Sequence, residues 1–253
     1  MSFAVSADAY MRFMGRYSEP LAVLFADLAG LTQGKSALDV GSGPGVLTAE
    51  LVRRQGSELV SAVDPAETFV AAARERLPGV DIRQAAAEQL PFRDRSFDAA
   101  LAQLVVHFMT DPVAGLREMG RVCRGGGIIA ACVWDYAGGR APLTLFWQAA
   151  HELDPAVVGE SGLAGARQGH LAELCSLAGL GDVRETTLTV SVGFASFEDW
   201  WDPFTLGVGP AGAYLAGLPP EHRGELRERC QQHWPPAGAA AITASVWAAT
   251  GRI

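Results

Sequence analysis

The chain has 253 residues, 49% of them hydrophobic, and a formal net charge of -8; this suits one large α/β domain with added segments and excludes a disordered polypeptide. The acidic balance also argues against a nucleic-acid partner, because phosphate binding draws on clustered Lys and Arg. No stretch reaches the ~20 apolar residues of a membrane span, and the opening lacks the basic and apolar regions of a signal peptide, so the expectation is a cytoplasmic protein without a membrane partner, acting on small molecules, with monomer and homodimer both open.

In chain order, apolar runs suited to strands occur at "SALDV", "ELVSAV", "VDIRQ", "FDAALA" and "GIIAACV". Helical patterns fall between several of them. Leu47 and Leu51 share one face, as do Val70, Ala73 and Leu77, and Leu116, Met119 and Cys123, which predicts a doubly wound parallel sheet with helices on both sides. An extra segment, "YAGGRAPLTLFWQAAHELDPAVVGESG", follows the fifth run. The stretch "HLAELCSLAGL" then reads as an amphipathic helix stopped near Gly179 and Gly181. "TLTVSVGF" and "AITASVWAATGRI" alternate strictly and predict two half-exposed strands.

Between those two strands lies an insertion rich in aromatics, far longer than a hairpin requires and therefore expected to act as a lid or binding wall. Within it "EHRGELRERC" predicts a helix with Leu226 and Cys230 turned inward, and "PPAGAAA" predicts a flexible loop. The four cysteines, Cys123, Cys132, Cys175 and Cys230, form no CxxC pair and the histidines no ligand spacing, so buried thiols and no metal are expected.

The turn "LDVGSGPG", Leu38 to Gly45, is the strongest chemical signal. Its glycines allow a sharp turn and close approach of a ligand to main-chain atoms, but several cofactors use such turns. A dinucleotide site needs G-x-G-x-x-G, and Val46 stands where the third glycine belongs; a phosphate loop needs a following Lys-Ser or Lys-Thr, which is missing. Asp39, at the end of a buried run, would repel pyrophosphate and attract an ammonium or sulfonium. Asp64 ends the next run, where a carboxylate accepts hydrogen bonds from ribose hydroxyls. A cation carrying a ribose is S-adenosylmethionine.

These motifs in register resemble the class I S-adenosylmethionine-dependent methyltransferases. The opening "YMRFMGRYSEPLA" is similar to the N-terminal cap of their type 11 small-molecule group, related to the ubiquinone/menaquinone methyltransferases. The close resemblance spans about residues 10 to 135. It implies a Rossmann-like seven-stranded sheet with the last strand antiparallel, in a single methyltransferase domain over 1–253 with an N-terminal cap at 1–33 and helical lid insertions at about 136–168 and 195–238. It also implies that Asp39, Gly41 and Gly43 surround the methionine part of the cofactor, that Asp64 holds the ribose with Pro65 and Ala66 along the adenosine, and that Gln103 lies near the methionine ammonium through its carbonyl. Family members commonly read "DAEALPF" where this chain reads "AAEQLPF". Ala86 thus replaces the acidic residue that bonds the adenine, and the Ala87 amide is left to serve it.

On the acceptor side His107, four residues after Gln103, is either a general base, for which an imidazole near its ordinary pKa is suited, or a packing wall. Arg16 and Tyr17 either meet the methionine carboxylate or form a solvated helix end. Trp200, Trp201, Phe204 and Tyr214 either line a substrate pocket or form the core of the lid itself. The expected function is methyl transfer from S-adenosylmethionine to a small-molecule acceptor by in-line displacement, giving S-adenosylhomocysteine; the alternative is a module that binds the cofactor and regulates without turnover.

Overall fold

A computed structural model describes residues 6–236 and 238–253. The first five residues of the expected cap, and Ala237 within the expected "PPAGAAA" loop, lie outside the described residues. All seven expected strands form. They are β1 (Ala37–Val40), β2 (Val60–Asp64), β3 (Asp81–Gln84), β4 (Phe97–Gln103), β5 (Cys123–Trp134), β6 (Gly181–Phe194) and β7 (Ala240–Arg252). They build one sheet in the order β3-β2-β1-β4-β5-β7-β6. Pairing is parallel from β3 through β5, with Asp39 beside Ala62 on one side and Leu101 on the other. β7 is antiparallel to both β5 and β6.

The helices follow from the apolar stripes and local caps. α1 (Ala7–Tyr10) is capped by Ser6, whose hydroxyl accepts from the Ala9 N–H at 3.1 Å, and runs through a π-helical turn, Met11–Gly15, into α2 (Arg16–Ala29). α3 (Val46–Gln55), α4 (Glu67–Arg76) and α5 (Pro112–Val122) are the crossovers. α5 begins with Pro112 behind Asp111, which accepts from the Ala114 N–H at 2.9 Å, a start that supplies both a fixed φ and a partner for an orphan donor. α6 (Thr144–Leu153) lies in the first inserted segment; α7 (His170–Leu177) precedes β6; α8 (Phe197–Trp201), α9 (Gly209–Gly217) and α10 (Pro220–His233) fill the second insertion.

Alternation along the strands sends side chains into two cores. Leu101, Ala130 and Cys132 join Phe25, Leu47 and Leu51 under α2 and α3, together with the aromatic residues of the insertions. Ala100, Ala102 and Ile129 join Leu116, Met119, Leu171 and Leu174 under α5 and α7. β7 departs from the half-exposed expectation. Ala244, Val246 and Ala248 are buried, but so are Ser245 and Ala249 on the opposite face, because β7 lies between β5 and β6 with α7 against it. All four cysteines are buried and unbridged. Among the described residues no helix is long and apolar enough to cross a membrane, and no group of His, Cys, Asp and Glu is arranged to hold a metal.

Strand order reverses between β1 and β4, so the crevice beyond their carboxyl ends is the place where an open α/β sheet binds ligands. Every candidate cofactor residue from Asp39 to Gln103 belongs to a strand end or loop at that edge.

Candidate functional site

The glycine turn is shaped by its own backbone. Gly41, Gly43 and Gly45 all hold positive φ, at 73°, 53° and 85°, where a Cβ is strained. A Cβ on Gly41 would collide with Val105, and one on Gly45 would press on Leu77 of the loop after α4. Gly43 is different: a Cβ there meets nothing within 4 Å, so its bareness leaves open space beside the turn. The Gly41 and Ser42 N–H groups donate to the Val63 carbonyl at 2.8 and 2.9 Å, which pins the turn to the end of β2.

Two carboxylates flank the turn. Asp64 accepts from the Gly43 N–H through Oδ2 and from the Ala66 N–H through Oδ1, both at 2.8 Å, and burial raises its pKa against those two bonds. Asp39 is 1% exposed and accepts from the Thr48 hydroxyl at 2.6 Å. Burial pushes its pKa up to about 7, with the Thr48 bond opposing and the Asp64 charge adding to the rise. A buried acid of this kind gains most from a cation that restores its charge.

The cap closes over this pair. Tyr10 packs edge-on against Phe69 of α4, with ring centroids 5.6 Å apart. Burial, then the nearby Asp64 charge, raises the pKa of its hydroxyl, while a hydrogen bond to Ser18 opposes the rise. Gln103 donates through Nε2 to the Ser18 carbonyl at 3.1 Å, joining the end of β4 to α2. Its Oε1 is buried and has no partner.

Four of the buried side-chain atoms without a partner, Gln103 Oε1, His107 Nδ1, Trp134 Nε1 and Tyr17 Oη, lie at or next to this crevice. Unpaired buried polar atoms are costly, and their gathering in one place marks where a polar ligand belongs. Leu104, directly after Gln103, also holds a positive φ of 61°, a conformation uncommon outside glycine and often found at functional sites. The open space at Gly43, the acceptor at Gln103 and the two carboxylates fit a cationic nucleoside such as S-adenosylmethionine.

Next to Leu104 lies a small apolar chamber of about 40 Å³. Its walls are Tyr10, Phe13, Phe108 and Trp134, with His107, Tyr136 and Glu160 among its polar members and Val208 to Pro210 contributed by the second insertion. His107 packs on Phe108 at 3.9 Å between centroids and meets Tyr136 edge-on at 6.1 Å. Burial alone depresses its pKa to about 3. Burial thus favours the neutral imidazole at His107.

Arg16 and the four candidate aromatic residues are engaged in contacts within the protein. Arg16 does not stand free to meet a cofactor carboxylate: its guanidinium donates to Asp199 at 2.8 Å and to the Gly193 carbonyl at 2.7 Å and lies 4.2 Å from the Phe194 ring, because an aromatic shelf and a carboxylate from the second insertion capture it. Trp200, Trp201 and Phe204 are at most 5% exposed and build the core of that insertion. Phe204 stacks on Phe146 at 4.7 Å and meets Trp200 at 4.8 Å. Tyr214 packs on Trp147 and Phe146 of α6. None of the four lines the chamber; Phe13, which touches Phe204 at 5.0 Å, separates the two. Ala87 is buried and Ala86 exposed, on the loop that begins where the Ala85 N–H donates to the Asp64 carbonyl.

Tyr10, Phe13, Tyr136 and Glu160 are among the site members that sequence reasoning missed, with Phe108, Trp134 and Val208 to Pro210. Tyr10 and Phe13 reach the chamber because the π-helical turn shifts the helical phase. Glu160 had a readable signal, as the one charged residue among the apolar and small residues from Pro155 to Ala166. It is 3% exposed.

Comparisons with known proteins agree with this geometry. The methyltransferase-domain family of type 11 matches residues 38–131. A demethylmenaquinone methyltransferase of Mycobacterium sp. strain JLS is 37% identical over 119 residues, 46% of this chain and 49% of that protein. An uncharacterized methyltransferase of Mycobacterium tuberculosis is 36% identical over 135 residues, 53% of this chain and 52% of that protein. The match thus spans about half the length of these curated relatives. Among solved structures, a phosphoethanolamine N-methyltransferase of Haemonchus contortus in complex with S-adenosyl-L-methionine superposes with a TM-score of 0.61 at 14% identity, over 97% of this chain and 56% of that one, a likeness of fold.

Proposed function

We propose, from the match of residues 38–131 to the methyltransferase-domain family of type 11, that the chain transfers a methyl group from S-adenosylmethionine to a small-molecule acceptor. The observation that carries the reading is the pair of buried carboxylates, Asp39 and Asp64, at the ends of adjacent parallel strands on either side of a glycine turn. When bound, S-adenosylmethionine supplies a methyl group already activated by the sulfonium charge.

The residues of the chain then have three tasks. Asp39 offsets the positive charge of the methionine part, and the Gln103 Oε1 accepts from its ammonium. Asp64 has two backbone donors on roughly four lone-pair sites and keeps capacity for ribose hydroxyls; Pro65 and Ala66 flank the adenosine, and the Ala87 amide meets the base beside Ala86. Tyr10 and the cap exclude water, which strengthens every electrostatic contact beneath them. Alignment of the acceptor in the chamber accounts for most of the catalysis, because in-line displacement at an activated methyl asks for little else. A soluble assay with labelled methyl donor follows turnover.

The decisive variant is Asp64→Ala. Its affinity for S-adenosylhomocysteine, measured by calorimetry, is expected to fall by about 1 to 3 kcal/mol, the cost of losing hydrogen bonds to a charged group. Unchanged affinity refutes the ribose assignment, and a wild-type protein that binds neither S-adenosylmethionine nor S-adenosylhomocysteine refutes the function.

A further inference from the structure

Glu160 is a buried carboxylate that the cofactor does not need. It accepts from the Trp147 indole N–H at 2.8 Å and is hydrogen bonded to the Tyr136 hydroxyl. Two neutral donors do not balance a buried negative charge. Burial accordingly raises its pKa against both bonds. Among the described residues, no Lys or Arg lines the chamber into which it faces. Tyr10, Phe13, Phe108, Trp134 and His107 line the same chamber, and the buried His107 Nδ1 has no partner.

Aromatic rings around a carboxylate attract cations and repel anions, since the ring faces carry negative quadrupole density and the acid carries charge. A neutral imidazole adds a hydrogen-bond acceptor for an N–H. We propose that the acceptor of this enzyme is an amine, bound as its ammonium ion between Glu160, His107 and the aromatic walls of the chamber. The proposal rests on the methyltransferase reading above.

An ammonium has no lone pair, so one N–H must be given up before transfer. Glu160 is placed to take that proton, becoming a neutral carboxyl and leaving the free amine. The amine lone pair then forms the new N–CH3 bond as the S–CH3 bond breaks. The electron pair of that bond stays on sulfur, so the products are the N-methylammonium ion and the neutral thioether. Glu160 also lines an outer cleft of about 600 Å³ with Trp147, His151 and Glu152, through which the proton returns to solvent. The titratable groups around Glu160 are Tyr10, Tyr136 and His107 in the chamber and His151, Glu152 and His233 in the cleft.

The test uses the full chain saturated with S-adenosylhomocysteine and three probes of matched size that suit the small chamber, ethylamine, ethanol and acetate, titrated by thermal shift. The amine is expected to bind at least about tenfold more tightly than the other two, and Glu160→Gln to remove that preference, as loss of one charge-assisted hydrogen bond implies. Glu160→Asp should restore part of it, and unchanged S-adenosylhomocysteine binding in both variants shows that they fold. Equal or better binding of the alcohol or acetate, no binding of the amine, or an amine preference that survives Glu160→Gln overturns the proposal while leaving the methyltransferase reading intact. Failure of the wild-type protein to take up S-adenosylhomocysteine overturns both.

Discussion

The cofactor crevice and the chamber proposed for the acceptor meet near the end of β4 and are built on opposite plans. The crevice is made from backbone and short-range contacts: Asp64 bonds Gly43, 21 residues away, and Asp39 bonds Thr48, nine residues away. The chamber is assembled from distant pieces. Its walls come from the cap, from the loop after β4 and from both insertions, and the contact that fastens cap to lid joins Arg16 to Asp199 across 183 residues. A site for one fixed ligand can be written into a single turn, whereas a site that selects its acceptor is set by whatever packs around it.

The largest expected effect separates these plans. Phe204→Ala removes a ring that is 1% exposed and stacked on Phe146. Stability measured by denaturant unfolding should fall by about 3 to 5 kcal/mol, while S-adenosylhomocysteine affinity of the folded fraction stays within about twofold, because ΔΔG values of sites without shared partners are independent. A large affinity loss with little loss of stability would show that the aromatic cluster touches ligand after all and would erase the distinction drawn here.

The same contrast explains what could be read from sequence. Strand runs such as "FDAALA" sit in the middle of a parallel sheet and are apolar on both faces, so composition alone exposed them. Asp39 and Asp64 were legible because a carboxylate ending a buried run has few other uses. The chamber was not. His107 was visible as a residue, but its depressed pKa comes from burial supplied by Phe108 and Tyr136 and by chain far away. The aromatic group from Trp200 to Tyr214 carried the residue types of a binding wall, and only packing against Phe13 and Phe146 decides that it is core. Periodicity likewise gave no sign of the π-helical turn that aims Tyr10 and Phe13.

A second, smaller effect tests the crevice through pH. Asp39 has its pKa raised to about 7, so the folded protein holds a proton there that the unfolded chain releases near pH 4. This favours folding at low pH and is lost as pH rises from about 4 to about 7. Binding of a sulfonium works in the other sense, since it requires the carboxylate. Between pH 8 and pH 6 the ionised fraction drops about tenfold, and S-adenosylmethionine affinity should fall in proportion, with net proton release on binding seen by calorimetry in buffers of different ionisation enthalpy. Asp39→Asn should bind weakly at both pH values and lose this component of the slope, which separates it from titration of Asp64, Tyr10 or the ligand's own amine. A wild-type slope that Asp39→Asn retains would assign the pH dependence elsewhere.

The smallest effect concerns the seam between the two regions. Arg16 and Asp199 are each about a third exposed, and the Arg16 hydrogen bond is the leading cause that lowers the Asp199 pKa. Exposed ion pairs contribute about 0 to 1 kcal/mol, and the stack on Phe194 adds a comparable amount. Arg16→Ala should therefore cost about 1 kcal/mol of stability, more at low salt than at high. Its consequence for ligands is the sharper measurement. If Arg16 fastens the cap to the second insertion, the variant should keep its S-adenosylhomocysteine affinity while acceptor KM rises, because the chamber walls from Phe13 to Pro210 lose their alignment. If Arg16 instead pairs with the methionine carboxylate, cofactor affinity should fall by tenfold or more, as loss of a charged hydrogen bond requires, and acceptor KM should stay near that of the wild type. In each outcome a different one of the two ligand parameters changes and the other stays, so a single pair of titrations decides to which region Arg16 belongs.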